Sequence, residues 1–173
     1  PRPAVSEAID SFQPDLIHVV NPAVLGLGGI GTRLTKTVRH LVEAGDEVIV
    51  FCPEGCPDEY MGARLIGVPA MPLPLYPELK LALPRPAVSD AIDSFQPDLI
   101  HVVNPAVLGL GGIWLAKNKS IPLIASYHTH LPKYLEHYGM GMLEPLLWEL
   151  LTAAHNQALL NLCTSTAMVQ ELS

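Results

Sequence analysis

Basic residues are scarce: ten Lys plus Arg stand against seventeen Asp plus Glu, a net charge of −7 over 173 residues. A nucleic-acid surface needs clustered cations to displace counterions, so that class is disfavoured. Cysteine is scarce as well. Three cysteines cannot pair completely, which argues against a disulfide framework and for a reducing compartment. No apolar run reaches the ~20 residues that a bilayer span requires. The longest, residues 105–116, falls short and contains three glycines. No basic stretch, apolar core and small-residue cleavage site open the chain, so no signal peptide is read. It begins with Pro1-Arg2 instead of Met, and the expectation is that the true start lies upstream. Only 16% of residues are charged, too few for a disordered array, while 49% are hydrophobic, enough to bury a core. Seventeen prolines and thirteen glycines point to many short turns and away from coiled coil.

One feature is present in excess. Residues 1–30 recur at 84–113 and differ only at Glu7 versus Asp90. Structural repeats diverge wherever packing permits, and stable arrays usually hold three or more copies. Two near-identical copies separated by unrelated sequence therefore read as a recent duplication or a spliced reading frame. The first copy is expected to lie inside a single domain spanning 1–173, with residues 15–20 taking the place of a first strand.

Strands and helices alternate. DLIHVV at 15–20, EVIVF at 47–51, LIHVV at 99–103, PLIASY at 122–127 and LLNLCT at 159–164 are short apolar runs. Leu34, Val38, Leu41 and Val42 recur at helical spacing, and Gly45 follows as a stop. Residues 68–77 are proline-rich and extended. A short helix is expected over 89–95 with Ser89 as its cap, and a glycine-dotted one over 105–117. A further helix carries Leu143, Leu146, Leu147, Leu150, Leu151 and Ala154 as one core-facing stripe. Strands that are apolar throughout imply a parallel sheet covered on both faces. The fold class is α/β, a Rossmann-like doubly wound parallel sheet.

In such sheets ligands bind beyond the carboxyl ends of the strands. This directs attention to residues 21–31, 52–55, 128–138 and 164–165, and to Asn104 with Pro105. Gly26-Leu27-Gly28-Gly29-Ile30-Gly31 matches the dinucleotide pattern G-x-G-x-x-G. However, five residues separate it from the strand, and Phe51-Cys52 stands where a ribose-holding acid belongs. A nicotinamide-binding or non-catalytic domain is the alternative reading, and a phosphate-facing glycine turn stands without it. His128-Thr129-His130 ends a strand with two imidazoles on one face, but no further ligand has metal spacing, and Cys52-x-x-x-Cys56 lacks partners too. No metal is expected. His128 alone is the candidate acid, base or hydrogen-bond donor near neutral pH. Lys133, Tyr134 and Tyr138 follow it, a cation and two phenols suited to hydroxyls and anions. His18 and His101 lie within apolar strands and read as core groups. No nucleophile elbow or P-loop occurs.

SYHTHLPKYLEHYG (126–139), GDEVIVFCPEG (45–55), YMGARLIGVPAMPLPLYPELKLAL (60–83) and PDLIHVVNPAVLG (97–109) together resemble family-four glycosyltransferases, in particular their sulfolipid branch. The resemblance runs over residues 32–173. It implies the N-terminal, acceptor-side half of a GT-B fold, with the donor-holding C-terminal domain lying outside this chain. It implies transfer of sulfoquinovose from UDP-sulfoquinovose to diacylglycerol with retention at the anomeric carbon. UDP-sugar is then a substrate, and neither cofactor nor metal is needed. By the same resemblance His128 is the catalytic cleft histidine, while Thr129, Lys133, Tyr134, Tyr138 and Asn104 bind substrate. Gly29 matches the glycine of the first loop, with Arg33 just inside the helix. The complete protein is expected in the cytoplasm, peripheral on a photosynthetic or plasma membrane, and without a nucleic-acid partner.

Overall fold

The computed structural model describes residues 16–20, 29–73, 76–82, 85–103, 107–128, 141–163 and 165–171. Its elements in chain order are β1 (Leu16–Val20), α1 (Gly29–Ala44), β2 (Val48–Pro53), β3 (Glu59–Tyr60), β4 (Ala63–Val68), β5 (Ala70–Leu73) and β6 (Tyr76–Ala82). They continue with α2 (Pro86–Phe95), β7 (Leu99–Val103), α3 (Val107–Lys119), β8 (Leu123–Tyr127), a 3-10 turn (Gly141–Leu143), α4 (Glu144–His155), β9 (Leu160–Cys163) and α5 (Thr166–Glu171). Seven strands form one sheet in the order β3-β4-β2-β1-β7-β8-β9, while β5 and β6 pair separately. All neighbours in the large sheet are parallel except β3 with β4. From β1 the chain winds outward through β2, then returns to β7 and winds the other way. The strand order therefore reverses between β1 and β7, the doubly wound arrangement.

β2 shows why both faces must be covered. All six of its residues are buried. Ile49 and Phe51 pack with Val88 and Ile92 of α2, Leu108 and Leu115 of α3, and Ile100 and Val102 of β7. Val48, Val50 and Cys52 point the other way, onto Leu34 and Val38 of α1 and Ala63 and Leu65 of β4. A strand alternates its side chains between faces, so an unbroken apolar run requires two cores. Residues Leu16–Val20, the copied segment, sit at the sheet centre and pair residue for residue with their duplicate: Leu16 with Leu99, His18 with His101, Val20 with Val103.

Helix boundaries follow local chemistry. α1 ends in a Schellman arrangement, with Gly45 at φ +98 and with its N–H and that of Asp46 bonded to the Val42 and Leu41 carbonyls. α2 starts earlier than Ser89. Arg85 occupies the N-cap position with extended φ and ψ and Pro86 opens the helix, so Ser89 lies inside the first turns and is no cap. Strand β4 was not anticipated from the sequence, and residues 68–77, expected only as extended, contribute β5 and the start of β6.

Candidate functional site

The carboxyl edge of the sheet collects the ends of β1, β2, β7 and β8. His128 directly follows Tyr127, the last residue of β8. It is half-buried, with its Nδ1 enclosed. Gly29 is the first residue of α1 and Arg33 stands one turn further on. The glycine pattern thus leads into a helix N-terminus, where unpaired N–H groups and the helix dipole favour an anion. Asn104, Thr129, Lys133, Tyr134 and Tyr138 lie outside the described residues. The acid that a dinucleotide site would need at the end of β2 is replaced by Cys52 and Pro53.

The scaffold beneath His128 is assembled from residues distant in sequence. Tyr127 is fully buried. Its ring meets His155 edge-on at 5.7 Å between centroids and lies tilted against Trp148 at 6.5 Å. Such aromatic pairs favour one mutual orientation beyond their area alone. His155, 6% exposed, is held in turn by Asn161 of β9. The Asn161 Nδ2 donates to the His155 carbonyl at 3.1 Å, which leaves Oδ1 facing His155 Nδ1 at 2.7 Å. An amide oxygen only accepts, so Nδ1 carries the proton. This chain of contacts fixes the end of β8, and with it the base of His128, against α4 and β9. The only signal in the sequence was an aromatic residue ahead of the histidine.

His101 behaves as expected of a core group: it is buried and its Nε2 shares a hydrogen bond with Ser126 Oγ. The leucine stripe of α4 requires correction. Leu151, Ala154 and His155 are the buried residues of that helix, while Leu146 is 63% exposed, Leu143 49% and Leu150 44%. The buried face is rotated from the expected stripe, because leucines surround much of this helix and spacing alone does not choose between adjacent faces. Among the described residues no group of three metal-ligating side chains comes together, and no helix is long and apolar enough to cross a membrane. A hollow of about 310 Å³, lined by Ile113, Lys117, Ile121, Leu123, Gln157 and Leu159, opens at the amino edge of β8. It faces away from His128, so it is not the site.

A doubly wound sheet whose strand order reverses between β1 and β7 defines a nucleotide-fold domain, with the half-buried histidine at its carboxyl edge two strands from β1. The chain belongs to glycosyltransferase family 4, whose family model matches residues 27–173. It is 38% identical over 148 residues to a sulfoquinovosyl transferase of Arabidopsis thaliana, covering 84% of this chain and 29% of that protein. A GDP-mannose-dependent alpha-mannosyltransferase of Mycolicibacterium smegmatis is 30% identical over 85% of this chain and 41% of its own length. An alpha-monoglucosyldiacylglycerol synthase of Streptococcus pneumoniae is 28% identical over 68% of this chain and 27% of its own. A solved glycosyltransferase from Rickettsia africae overlays with a TM-score of 0.47 and 15% identity, over 73% of this chain and 34% of that one. The chain thus spans well under half the length of the curated relatives it matches.

Proposed function

We propose that this chain is the acceptor-side domain of a retaining, nucleotide-sugar-dependent glycosyltransferase that works without a resident metal or cofactor. The reaction breaks the bond between the anomeric carbon and the donor's phosphate oxygen and forms a new one to an acceptor hydroxyl, whose proton leaves with the departing phosphate. The donor is a UDP-sugar, the sugar is sulfoquinovose and the acceptor is a lipid such as diacylglycerol. The relatives' names support these choices unequally. One specifies a sulfoquinovosyl group and is 38% identical, another names a nucleotide-linked mannose, and a third a diacylglycerol product.

The observation that carries the reading is the position of His128, half-buried at the carboxyl edge of β8 in a chain whose family match spans 27–173. A ring anchored through Tyr127 loses little freedom when it hydrogen-bonds a sugar hydroxyl, and such a bond strengthens as positive charge develops at the anomeric carbon. Gly29 and Arg33 at the start of α1 receive the phosphates. Lys133, Tyr134 and Tyr138, with Asn104 and Thr129, hold hydroxyls and the anionic group of the sugar. A second domain supplies leaving-group stabilisation, and this chain by itself is therefore inactive.

In the complete enzyme His128→Ala lowers turnover by about 10²–10⁴-fold, the usual range for a positioned proton-transfer or hydrogen-bonding group, with an unchanged circular dichroism spectrum. Unaltered turnover removes the role of His128. Sugar transfer by the 173-residue chain alone contradicts the division of labour between two domains.

A further inference from the structure

Cys52 and Cys56 face one rung of the sheet. Cys52 is registered opposite Gly67 in the parallel pair β2–β4, and registered residues of parallel neighbours point to the same face. Gly67 leaves that position vacant: a Cβ placed there would lie 3.6 Å from the Cys56 Sγ and 3.3 Å from the Glu54 Cα. The Cys56 sulfur thus lies in van der Waals reach of the position a side chain at 67 would take, packed against the cluster that holds Cys52. Both thiols join the same apolar cluster, Cys52 fully buried and Cys56 partly so. The Cys52 Sγ also points at the Ile66 carbonyl, 3.9 Å away. Between the two cysteines run Pro53, Glu54 and Gly55. Gly55 has φ +93, which only glycine adopts freely, and the Glu54 N–H bonds the Val68 carbonyl at 2.8 Å. The turn is therefore tied at its start to β4, the neighbour of the strand it leaves.

We propose that Cys52 and Cys56 form a reversible disulfide, a redox-responsive clasp on the turn after β2. The oxidant is a small disulfide such as glutathione disulfide. Cys56, the partly open thiol, attacks it as thiolate and releases one glutathione. Cys52 then gives up its proton and displaces the second glutathione from Cys56. One protein S–S bond forms and one S–S bond breaks. The two electrons and two protons of the protein thiols end on two glutathione thiols. Burial holds the Cys52 proton tightly, with the Cys56 contact adding to this, so the second step is the slower one and quickens as pH rises. The clasp lies at the same sheet edge as His128, three strand spacings away or roughly 14 Å. It stands independently of the glycosyltransferase reading.

Glutathione redox buffers applied to the folded 173-residue chain, followed by alkylation in denaturant, trypsin and mass spectrometry, provide the test. Residues 40–64 form one tryptic peptide that holds both cysteines, and Cys163 falls in another. In oxidised buffer the 40–64 peptide is expected to take no alkyl label and to lose the mass of two hydrogens, whereas after reduction it takes two labels. Cys163 takes its label in both. The Cys56→Ser variant leaves Cys52 alkylated throughout. A glutathione adduct that persists on Cys56, two labels at every ratio, or a link to Cys163 each overturns the proposal.

Discussion

The hairpin that closes the sheet edge offers a sharp test of the packing argument. Tyr60 pairs with Ala63, so Met61 and Gly62 form a two-residue loop, and both have positive φ, +53 and +83. That is the type I′ geometry, whose twist matches the strands it joins. Gly62→Ala introduces two separate costs. At φ +83 an alanine is strained by about 1–2 kcal/mol. Its Cβ would also stand 2.6 Å from the Val42 Cγ1 of α1. A β-branched side chain in a helix is confined to one rotamer and cannot swing away, so relief requires α1 or the hairpin to move, adding about 1–3 kcal/mol. Together they predict a loss of about 2–5 kcal/mol, read as a urea midpoint about 1–2 M lower in unfolding followed by circular dichroism. Gly45→Ala is the control: its φ is +98, yet nothing lies within 4 Å of the added carbon, so only the conformational cost of about 1–2 kcal/mol applies. Val42→Ala removes the obstructing methyl, and the Gly62→Ala/Val42→Ala double variant regains about 1–3 kcal/mol relative to additivity. Additivity within about 0.5 kcal/mol, or equal losses at Gly45 and Gly62, would refute the clash.

Two smaller expectations accompany it. Met61→Asn places at the first loop position a residue that tolerates positive φ, and Met61 is 45% exposed, so stability rises by about 0.5–1 kcal/mol in the same assay; a fall would mean that Met61 packs usefully. Burial holds the Cys52 thiol above its ordinary range, with Cys56 reinforcing the shift. The folded state thus binds the proton more tightly than the unfolded one. Its contribution to stability is complete below about pH 8.5 and is lost as pH climbs beyond the unfolded value. Under reducing conditions Cys52→Ala is expected to show a shallower alkaline decline than the parent chain, and parallel declines would contradict this.

The alternation of strand and helix was legible because each central strand is apolar on both faces, which no isolated or half-exposed strand needs. β2, β7 and β8 were readable from composition alone, within a residue or two at their ends. β4 was not. Its burial alternates at Ala63 and Leu65 with Arg64 exposed between them, and Met61-Gly62 lacks the asparagine that usually announces such a turn. β4 lies next to the two-residue edge strand β3 and keeps one face partly in solvent, which weakens its patterning. The candidate histidine was legible from a general rule about strand ends, whereas its support was not. Tyr127, Trp148, His155 and Asn161 come from β8, α4 and β9, and only the folded chain brings them together. The phase of α4 has the same origin: which leucines face inward is set by where the helix lies, and Leu143, Leu146, Leu147 and Leu150 lie on more than one side of it.

The copied segment separates what a fold requires from what a site requires. A central strand must be apolar on both faces and of the right length; LIHVV satisfies this at Leu99–Val103 and again at Leu16–Val20, and the two lie side by side in register. Strand pairing is indifferent to which copy fills which position, because the two carry the same apolar sequence. Ligand chemistry is not indifferent. The duplication carries its sequel along with the strand, so Asn21-Pro22-Ala23 follows β1 just as Asn104-Pro105-Ala106 follows β7. The two strand ends that flank the reversal in strand order, where doubly wound folds place their ligands, are therefore followed by the same residues. A sheet of this kind accepts a repeated strand at its centre at little energetic cost. Ligand contacts depend on the particular residues that follow a strand, whereas pairing depends on its apolar pattern, so a copied strand bears on ligand chemistry more than on the fold.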